Sequence, residues 1–155
     1  MTPRNPEPKM QTTIFTVGFA KKTARDFFTI LIQAGVTTVI DIRLNNVSQL
    51  AAFTKRHDLE YFLREIADVD YLHKPELAPT KEILHAYKNK DIDWPQYERQ
   101  FRQLLTERRI ENVITPQLAN KACLLCSEPA PEQCHRRLVA EYLRDHWSNV
   151  EVVHL

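Results

Sequence analysis

The sequence predicts a single α/β domain of three layers, built around a mostly parallel sheet of about five strands. Short apolar runs rich in β-branched residues alternate with longer segments whose apolar residues recur at helical spacing. The chain has 155 residues, 43% hydrophobic and 26% charged, which suits one soluble domain with its own core. We assign residues 12–155 to this domain and residues 1–11, which hold three prolines among polar groups, to a disordered tail.

The first elements have the pattern of a strand–helix–strand unit. Residues 13–17 are an apolar strand. Thr23 and Asp26 begin a helix in the manner of a capping box, and Gly35 stands where that helix ends. Residues 36–42 are rich in β-branched side chains and predict the second strand. This order predicts a right-handed unit whose two strands pair in parallel.

The alternation continues to the end of the chain. Asp58, Thr80 and Asp93 are each placed to cap a helix, because such side chains accept hydrogen bonds from the first turn. The remaining strands are predicted over residues 69–73, 122–126 and 150–154, and a helix over residues 131–146 separates the last two. Strands alternating with helices in this way are typical of a Rossmann-like parallel sheet.

Composition argues against several classes of function. The formal net charge is +1, so no overall field attracts nucleic acid or an anionic membrane. No apolar run is long enough to cross a bilayer. Three cysteines are too few for a disulfide scaffold, which indicates a reducing cytoplasm. With Gly18 and Gly35 as its only glycines, the chain lacks a Walker loop and a dinucleotide fingerprint, and no cofactor is predicted.

Polar and ionisable groups follow the predicted strands where the apolar runs stop. Ligands bind outside the carboxyl ends of the strands in open parallel sheets, so these groups predict a pocket at one edge of the sheet. The ligand-binding residues predicted for this pocket are Asp41, Arg43, His73, Glu76, Cys126, Ser127 and Arg136.

Asp41 and Arg43 have two interpretations. They are two residues apart, so on an extended strand their side chains point to the same side. They form either a salt bridge or a unit in which Asp41 orients Arg43 toward an anionic ligand group.

Cys134, His135 and Glu128 are the predicted catalytic residues. Cys134 lies in the first turn of the predicted helix, where the positive helix end and neighbouring Arg136 favour a thiolate. The alternative is a buried structural cysteine. His135 points about 100° away from Cys134 on a helix, so its imidazole need not touch the sulfur. Glu128 is a general acid or base, a helix cap or a solvated side chain.

The cysteines allow three arrangements. Cys126 either faces Cys134 as a redox pair or belongs to the core. Cys123 and Cys126 have metal-site spacing, but residues three apart on a strand face opposite sides. A zinc site that adds Cys134 and His135 to these two requires the strand prediction to fail, so no metal ligand is predicted.

Four segments, in this order, resemble the domain-of-unknown-function 488 family: residues 16–18, 39–43 and 73–77, and residues 124–128 followed by Cys-His-Arg at 134–136. The similarity runs over residues 13–155, and the Cys-His-Arg end is its most specific part. The resemblance implies a compact bacterial or archaeal α/β domain and brings no established reaction. The motif positions correspond to Asp41, Arg43, Glu76, Cys126, Glu128, Cys134, His135 and Arg136.

Two segments depart from the family's pattern. Family members often continue the first strand with Gly-His-Ser, whereas residues 18–20 here are Gly-Phe-Ala, so any role of that His and Ser is absent. The usual Pro and Ser-Arg after the Asp-x-Arg piece are replaced within residues 44–49. Lys55 or Arg56 is then the expected source of the basic group.

Three functions are compatible with these residues. The favoured one is an enzyme for a phosphorylated or nucleotide-like small molecule, with Arg43 and Arg136 holding the anion and Cys134 or Glu128 carrying the chemistry. The second is a nucleic-acid-associated module with Lys21, Lys22, Arg43, Lys55 and Arg56 as its basic edge. The third is a redox or metal sensor based on Cys126 and Cys134.

Overall fold

The computed structural model describes residues 10–47, 52–128 and 130–155, so most of the predicted tail over residues 1–11 lies outside the described residues. The strands are β1 (Thr12–Gly18), β2 (Thr38–Asp41), β3 (Asp70–His73), β4 (Ala122–Cys126) and β5 (Val150–His154). The helices are α1 (Ala24–Ala34), α2 (Arg56–Phe62), α3 (Lys81–Lys88), α4 (Trp94–Arg108), α5 (Pro116–Ala119) and α6 (His135–His146). Shorter helical turns cover Ala52–Thr54, Leu63–Ala67, Pro75–Leu77 and Ile110–Asn112.

All five strands are parallel, in the order β3-β2-β4-β1-β5, and form the predicted α/β sheet. The predicted direct pairing of the first two strands is wrong, because β4 lies between them. All five residues of β4 are buried, as expected for a central strand covered on both faces. In register, Gly18 of β1 is opposite Cys126, and Asp41 of β2 is opposite Leu125. The carboxyl ends of three strands therefore meet at one edge.

Helices cover both faces of the sheet and give the three layers. One core cluster joins the sheet to α1 and α2 through Phe27, Leu31 and Leu59. The other joins the opposite face to α4 and α6 through Phe101 and Leu138. Within the described residues, no helix has the length and apolar character that crossing a membrane requires.

Most predicted helix starts are confirmed. The Thr23 hydroxyl accepts a hydrogen bond from the Asp26 N–H at 3.1 Å, and Gly35 ends α1 with a φ of 74°. Thr80 caps α3, and Asp93 forms a full capping box with Gln96 at the start of α4. These signals are local, so the sequence carries them without knowledge of the fold.

Two helix starts differ from the prediction. Asp58 is not the N-cap of α2, because the helix begins two residues earlier with Lys55 before it. Turns occupy residues 131–134, and α6 begins at His135. Cys134 therefore stands at the N-cap with extended backbone (φ −136°, ψ 139°) instead of inside the first turn. Its sulfur lies at the junction between the loop after β4 and the helix.

Candidate functional site

Arg136 occupies the centre of the edge where β1 and β4 end. Its side chain is fully buried. Nε donates to the Thr16 hydroxyl at 3.3 Å, while Nη1 donates to the Cys126 sulfur at 3.3 Å and to the carbonyl oxygen of Glu128. Nη2 is buried without a hydrogen-bond partner among the described residues, and none of their carboxylates forms an ion pair with this guanidinium. A buried cation that lacks a carboxylate partner is unusual, because desolvation makes it costly.

His154 and Lys22 also lie near Arg136. Its Thr16 partner lies 2.6 Å from Nδ1 of His154, so this hydroxyl links the guanidinium to β5. The Lys22 ammonium donates to the carbonyl oxygen of Gly18 at 2.7 Å. Burial and the positive charge of Arg136 lower the pKa of Lys22. Two neighbouring cations thus lie at the same strand end.

The two sulfurs of Cys126 and Cys134 are in contact and are assigned as a disulfide. Both side chains are buried. Their Cα atoms are 7.7 Å apart, which exceeds the roughly 4.4–6.8 Å usual for disulfides. The structure therefore places Cys126 against Cys134, one of the two alternatives that the sequence left open for this residue.

His135 lies beside this pair. Its Nε2–H donates to the carbonyl oxygen of Ile42 at 2.8 Å, and its ring is perpendicular to that of Phe101. Burial lowers the pKa of His135 to about 4, so the imidazole is neutral near pH 7. One ring nitrogen and the sulfurs of Cys126 and Cys134 all lie within 4.8 Å of one another.

Cys123 lies apart from this group, and the prediction that it diverges from Cys126 is confirmed. It is a free, fully buried thiol packed with the α1 and α2 core cluster. Burial raises its pKa well above the usual range of a thiol. Its surroundings are those of a structural cysteine.

Asp41 and Arg43 form a salt bridge, the first of the two interpretations of this pair. Nε of Arg43 donates to Oδ1 of Asp41 at 2.9 Å, and Nη2 donates to Oδ2 at 2.8 Å. Nη2 also donates to the Thr54 carbonyl at 2.6 Å, and Phe19 stacks on the guanidinium. Both charged side chains are buried. Arg43 is therefore engaged mostly with the protein itself.

His73 joins Asp41 and Arg43, since its imidazole donates from Nε2 to the carbonyl oxygen of Arg43 at 2.9 Å. Three of the predicted ligand-binding residues therefore form a second group. Sequence reasoning missed Tyr71, whose hydroxyl donates to Oδ2 of Asp41 at 2.6 Å. Burial and this carboxylate raise the pKa of Tyr71. The sequence signal that could have found Tyr71 is its position in β3, the strand that pairs with β2 and its Asp41.

The remaining predicted site residues project outward. Ser127 and Glu128 are exposed and contribute backbone carbonyls, to the Ala20 N–H and to Arg136 respectively. Glu76 is exposed, and its carbonyl accepts from Arg108 at 2.7 Å. The geometry therefore gathers the catalytic candidates Cys134 and His135 but leaves the carboxyl groups outside the cluster.

Some of the side chains predicted to form a basic edge do not lie at the surface. Arg43 is buried against Asp41, and the ammonium of Lys22 turns inward to a carbonyl. Lys21 and Arg56 are exposed. The edge thus keeps fewer surface cations than the sequence indicated.

An apolar groove of about 340 Å³ lies elsewhere, on the α1 and α2 face. Phe28, Ile32, Phe53 and Phe62 line it, with Arg25 as its charged residue. It contains none of the predicted site residues.

No curated protein and no solved structure matches this chain significantly. One family model does match, over residues 23–143, a range that includes Asp41, Arg43, His73, Cys126 and the Cys-His-Arg segment at 134–136. The matched range covers most of the chain, and the chain therefore belongs to the family described as Domain of unknown function DUF488.

Proposed function

We propose that Cys126 and Cys134 act as a reversible thiol–disulfide pair at the carboxyl edge of the sheet. The observation that carries the proposal is the contact between their sulfurs beside the buried guanidinium of Arg136. An N–H donor at a sulfur stabilises negative charge there when a disulfide opens. Cys134 is the attacking residue, because it adjoins the exposed residues of the loop while Cys126 ends a central strand.

The reaction is exchange with the disulfide of a partner molecule. The Cys134 sulfur attacks one sulfur of the partner, and the first partner thiolate leaves as a mixed disulfide forms. The Cys126 sulfur then attacks Cys134 and releases the second partner thiolate. Two electrons pass to the partner, and the two thiol protons end on its sulfurs. The reverse sequence reduces Cys126–Cys134.

Intact-mass analysis in glutathione buffers of graded redox ratio tests this proposal. The wild type and the Cys123→Ala control should lose two hydrogens on oxidation, and peptide mapping should locate the bond between Cys126 and Cys134. Cys126→Ala and Cys134→Ala should lose this transition. A chain that stays reduced in fully oxidising buffer, or that closes through Cys123, would refute the pair.

A second candidate function, binding of a small anion at the same edge, has its own observation. Nη2 of the buried Arg136 lacks a partner among the described residues, and the ammonium of Lys22 lies close to this guanidinium. Guanidinium and ammonium groups are suited to phosphate or carboxylate. Lys22 thereby replaces Arg43 in the anion site that the sequence predicted, since Arg43 is held by Asp41.

Thermal unfolding with inorganic phosphate and with sulfate tests the anion site. The wild type and the Lys21→Ala control should show a saturable rise in Tm, and Lys22→Ala should show a smaller one. A rise that does not saturate, or one equal in all three proteins, would identify a general salt effect and remove this candidate.

A further inference from the structure

We propose that the reduced chain binds one thiophilic divalent ion, such as Zn²⁺, through Cys126, Cys134 and His135. The proposal departs from the sequence-based expectation of no metal ligand. It rests on the proposed function only in needing the same two thiols in their reduced form.

The donor atoms already lie close to one another. Two sulfurs and one imidazole nitrogen bound to a tetrahedral zinc lie about 3.5–3.8 Å from one another, from bond lengths of about 2.0–2.3 Å. The corresponding atoms of Cys126, Cys134 and His135 lie within 4.8 Å. Once the disulfide is reduced and its sulfurs move apart, small side-chain adjustments complete the set.

The backbone spacing favours an ion between the sulfurs. The Cα atoms of Cys126 and Cys134 are 7.7 Å apart, beyond the roughly 4.4–6.8 Å usual for disulfides. An ion that bridges the two sulfurs holds them farther apart than a covalent bond does, and so suits this wider backbone spacing.

The hydrogen bonding of His135 is that of a metal-bound histidine. A carbonyl oxygen only accepts, so the hydrogen bond to Ile42 places the ring proton on Nε2 and leaves the lone pair on Nδ1. Histidine ligands almost always donate their second ring N–H to a carbonyl or carboxylate in this way. The bond to Ile42 thus orients the ring before any ion arrives.

The neighbouring residues complete the outer shell. Nη1 of Arg136 donates to the Cys126 sulfur at 3.3 Å, an outer-shell hydrogen bond to a ligand. Two thiolates balance the charge of a divalent ion. Three protein ligands leave the fourth tetrahedral position open, which is the arrangement of zinc sites that accept water or a substrate. Cys123 has no place in this set, because it packs on the opposite face of the sheet.

Cobalt(II) titration of the reduced, metal-free full chain tests the site. We expect one Co²⁺ per chain, with the visible d–d bands and the near-ultraviolet thiolate charge-transfer band of tetrahedral sulfur ligation, and displacement by Zn²⁺. Cys126→Ala, Cys134→Ala and His135→Gln should bind at least about tenfold more weakly. Cys123→Ala is the matched control and should titrate like the wild type. Circular dichroism establishes that each variant is folded.

The possible outcomes separate this inference from the redox proposal. A folded wild type that binds no Co²⁺, or binding that is lost equally in Cys123→Ala, overturns the metal site. Disulfide closure without Co²⁺ binding overturns the metal site alone, and Co²⁺ binding without closure overturns the redox pair alone. His135→Gln that binds like the wild type removes His135 from the ligand set. If His135→Gln is unfolded, the spectrum of the wild-type complex decides, because a nitrogen donor shifts the d–d bands from those of a site with sulfur ligands alone.

Discussion

Gly18 lies directly against the guanidinium of Arg136. A Cβ atom added at residue 18 would overlap both Nη1 of Arg136 and the carbonyl oxygen of Glu128. One of these atoms is backbone, so relief requires the loop after β4 to move. The absence of a side chain at residue 18 is therefore a condition for the buried position of Arg136.

Gly18→Ala should lower the free energy of unfolding by about 1–3 kcal/mol, because overpacking forces the surrounding structure to shift. It should also change the rate at which Cys126 and Cys134 close, since Arg136 contacts Cys126. Urea unfolding and oxidation kinetics measure these effects.

Gly35→Ala is the control for this substitution. Gly35 has a φ of 74° with nothing within 4 Å of an added Cβ, so the cost there is backbone strain alone, about 1 kcal/mol. Gly35→Ala should leave the rate of disulfide formation between Cys126 and Cys134 unchanged. If both variants lost the same unfolding free energy and formed the disulfide at the same rate, the packing argument would be contradicted.

Asp41→Asn should lower the free energy of unfolding by about 3–5 kcal/mol, because it leaves the buried charge of Arg43 without its partner. Tyr71→Phe removes one hydrogen bond to the same carboxylate and should cost about 1–3 kcal/mol. Urea unfolding at neutral pH compares the two. A loss in Asp41→Asn no larger than that in Tyr71→Phe would show that the ion pair contributes little.

The sequence predicted the elements that local chemistry determines. The bounds of β4 and β5 were predicted to the residue, and the caps Thr80 and Asp93 act as expected. The position of β4 between β1 and β2 was not predictable in this way. Strand order depends on contacts between distant segments, and consecutive strands are neighbours often enough to favour the wrong pairing.

The sequence predicted which residues come close together at the sheet edge better than it predicted which atoms they contact. Cys126, Cys134, His135 and Arg136 converge because parallel strands place their carboxyl ends at one edge. The lack of a carboxylate partner for Arg136 among the described residues depends on packing between β1, β4 and α6, which no spacing rule contains. For the same reason the exposure of the Glu76 side chain was not predictable from its place after β3.

Tyr142→Phe should make stability less dependent on pH in the acidic range. The Tyr142 hydroxyl donates to Oε2 of Glu111 at 2.5 Å, and this hydrogen bond lowers the pKa of Glu111. A carboxylate with a lowered pKa in the folded state adds stability above its unfolded pKa and loses it as the pH falls through the folded value. Burial and Glu111 raise the pKa of Tyr142 to about 12, so the hydroxyl stays protonated throughout.

The wild type should therefore exceed Tyr142→Phe in unfolding free energy near pH 7, and the difference should shrink below about pH 4. Urea unfolding at a series of pH values measures it. Tyr87→Phe is the control, since the Tyr87 hydroxyl donates to the uncharged amide of Gln133 and should give a difference that does not vary with pH. A Tyr142→Phe difference that stays constant down to pH 3 would contradict the role of Glu111.

Cys123 should react with a thiol reagent only when the whole domain unfolds. It lies in the central strand β4, its side chain is fully buried, and residues from both the sheet and α1 pack around it. Opening such a position costs nearly the global free energy of unfolding. The double variant Cys126→Ala/Cys134→Ala leaves Cys123 as the single thiol, so maleimide labelling reports on it directly.

Under conditions where reclosing is faster than labelling, the logarithm of the labelling rate should rise with urea concentration. Its slope should equal the one that equilibrium unfolding of the same variant gives. Rapid labelling without urea, or a slope well below the global one, would mean that β4 opens locally and that the sheet edge above it is less rigid than its burial indicates.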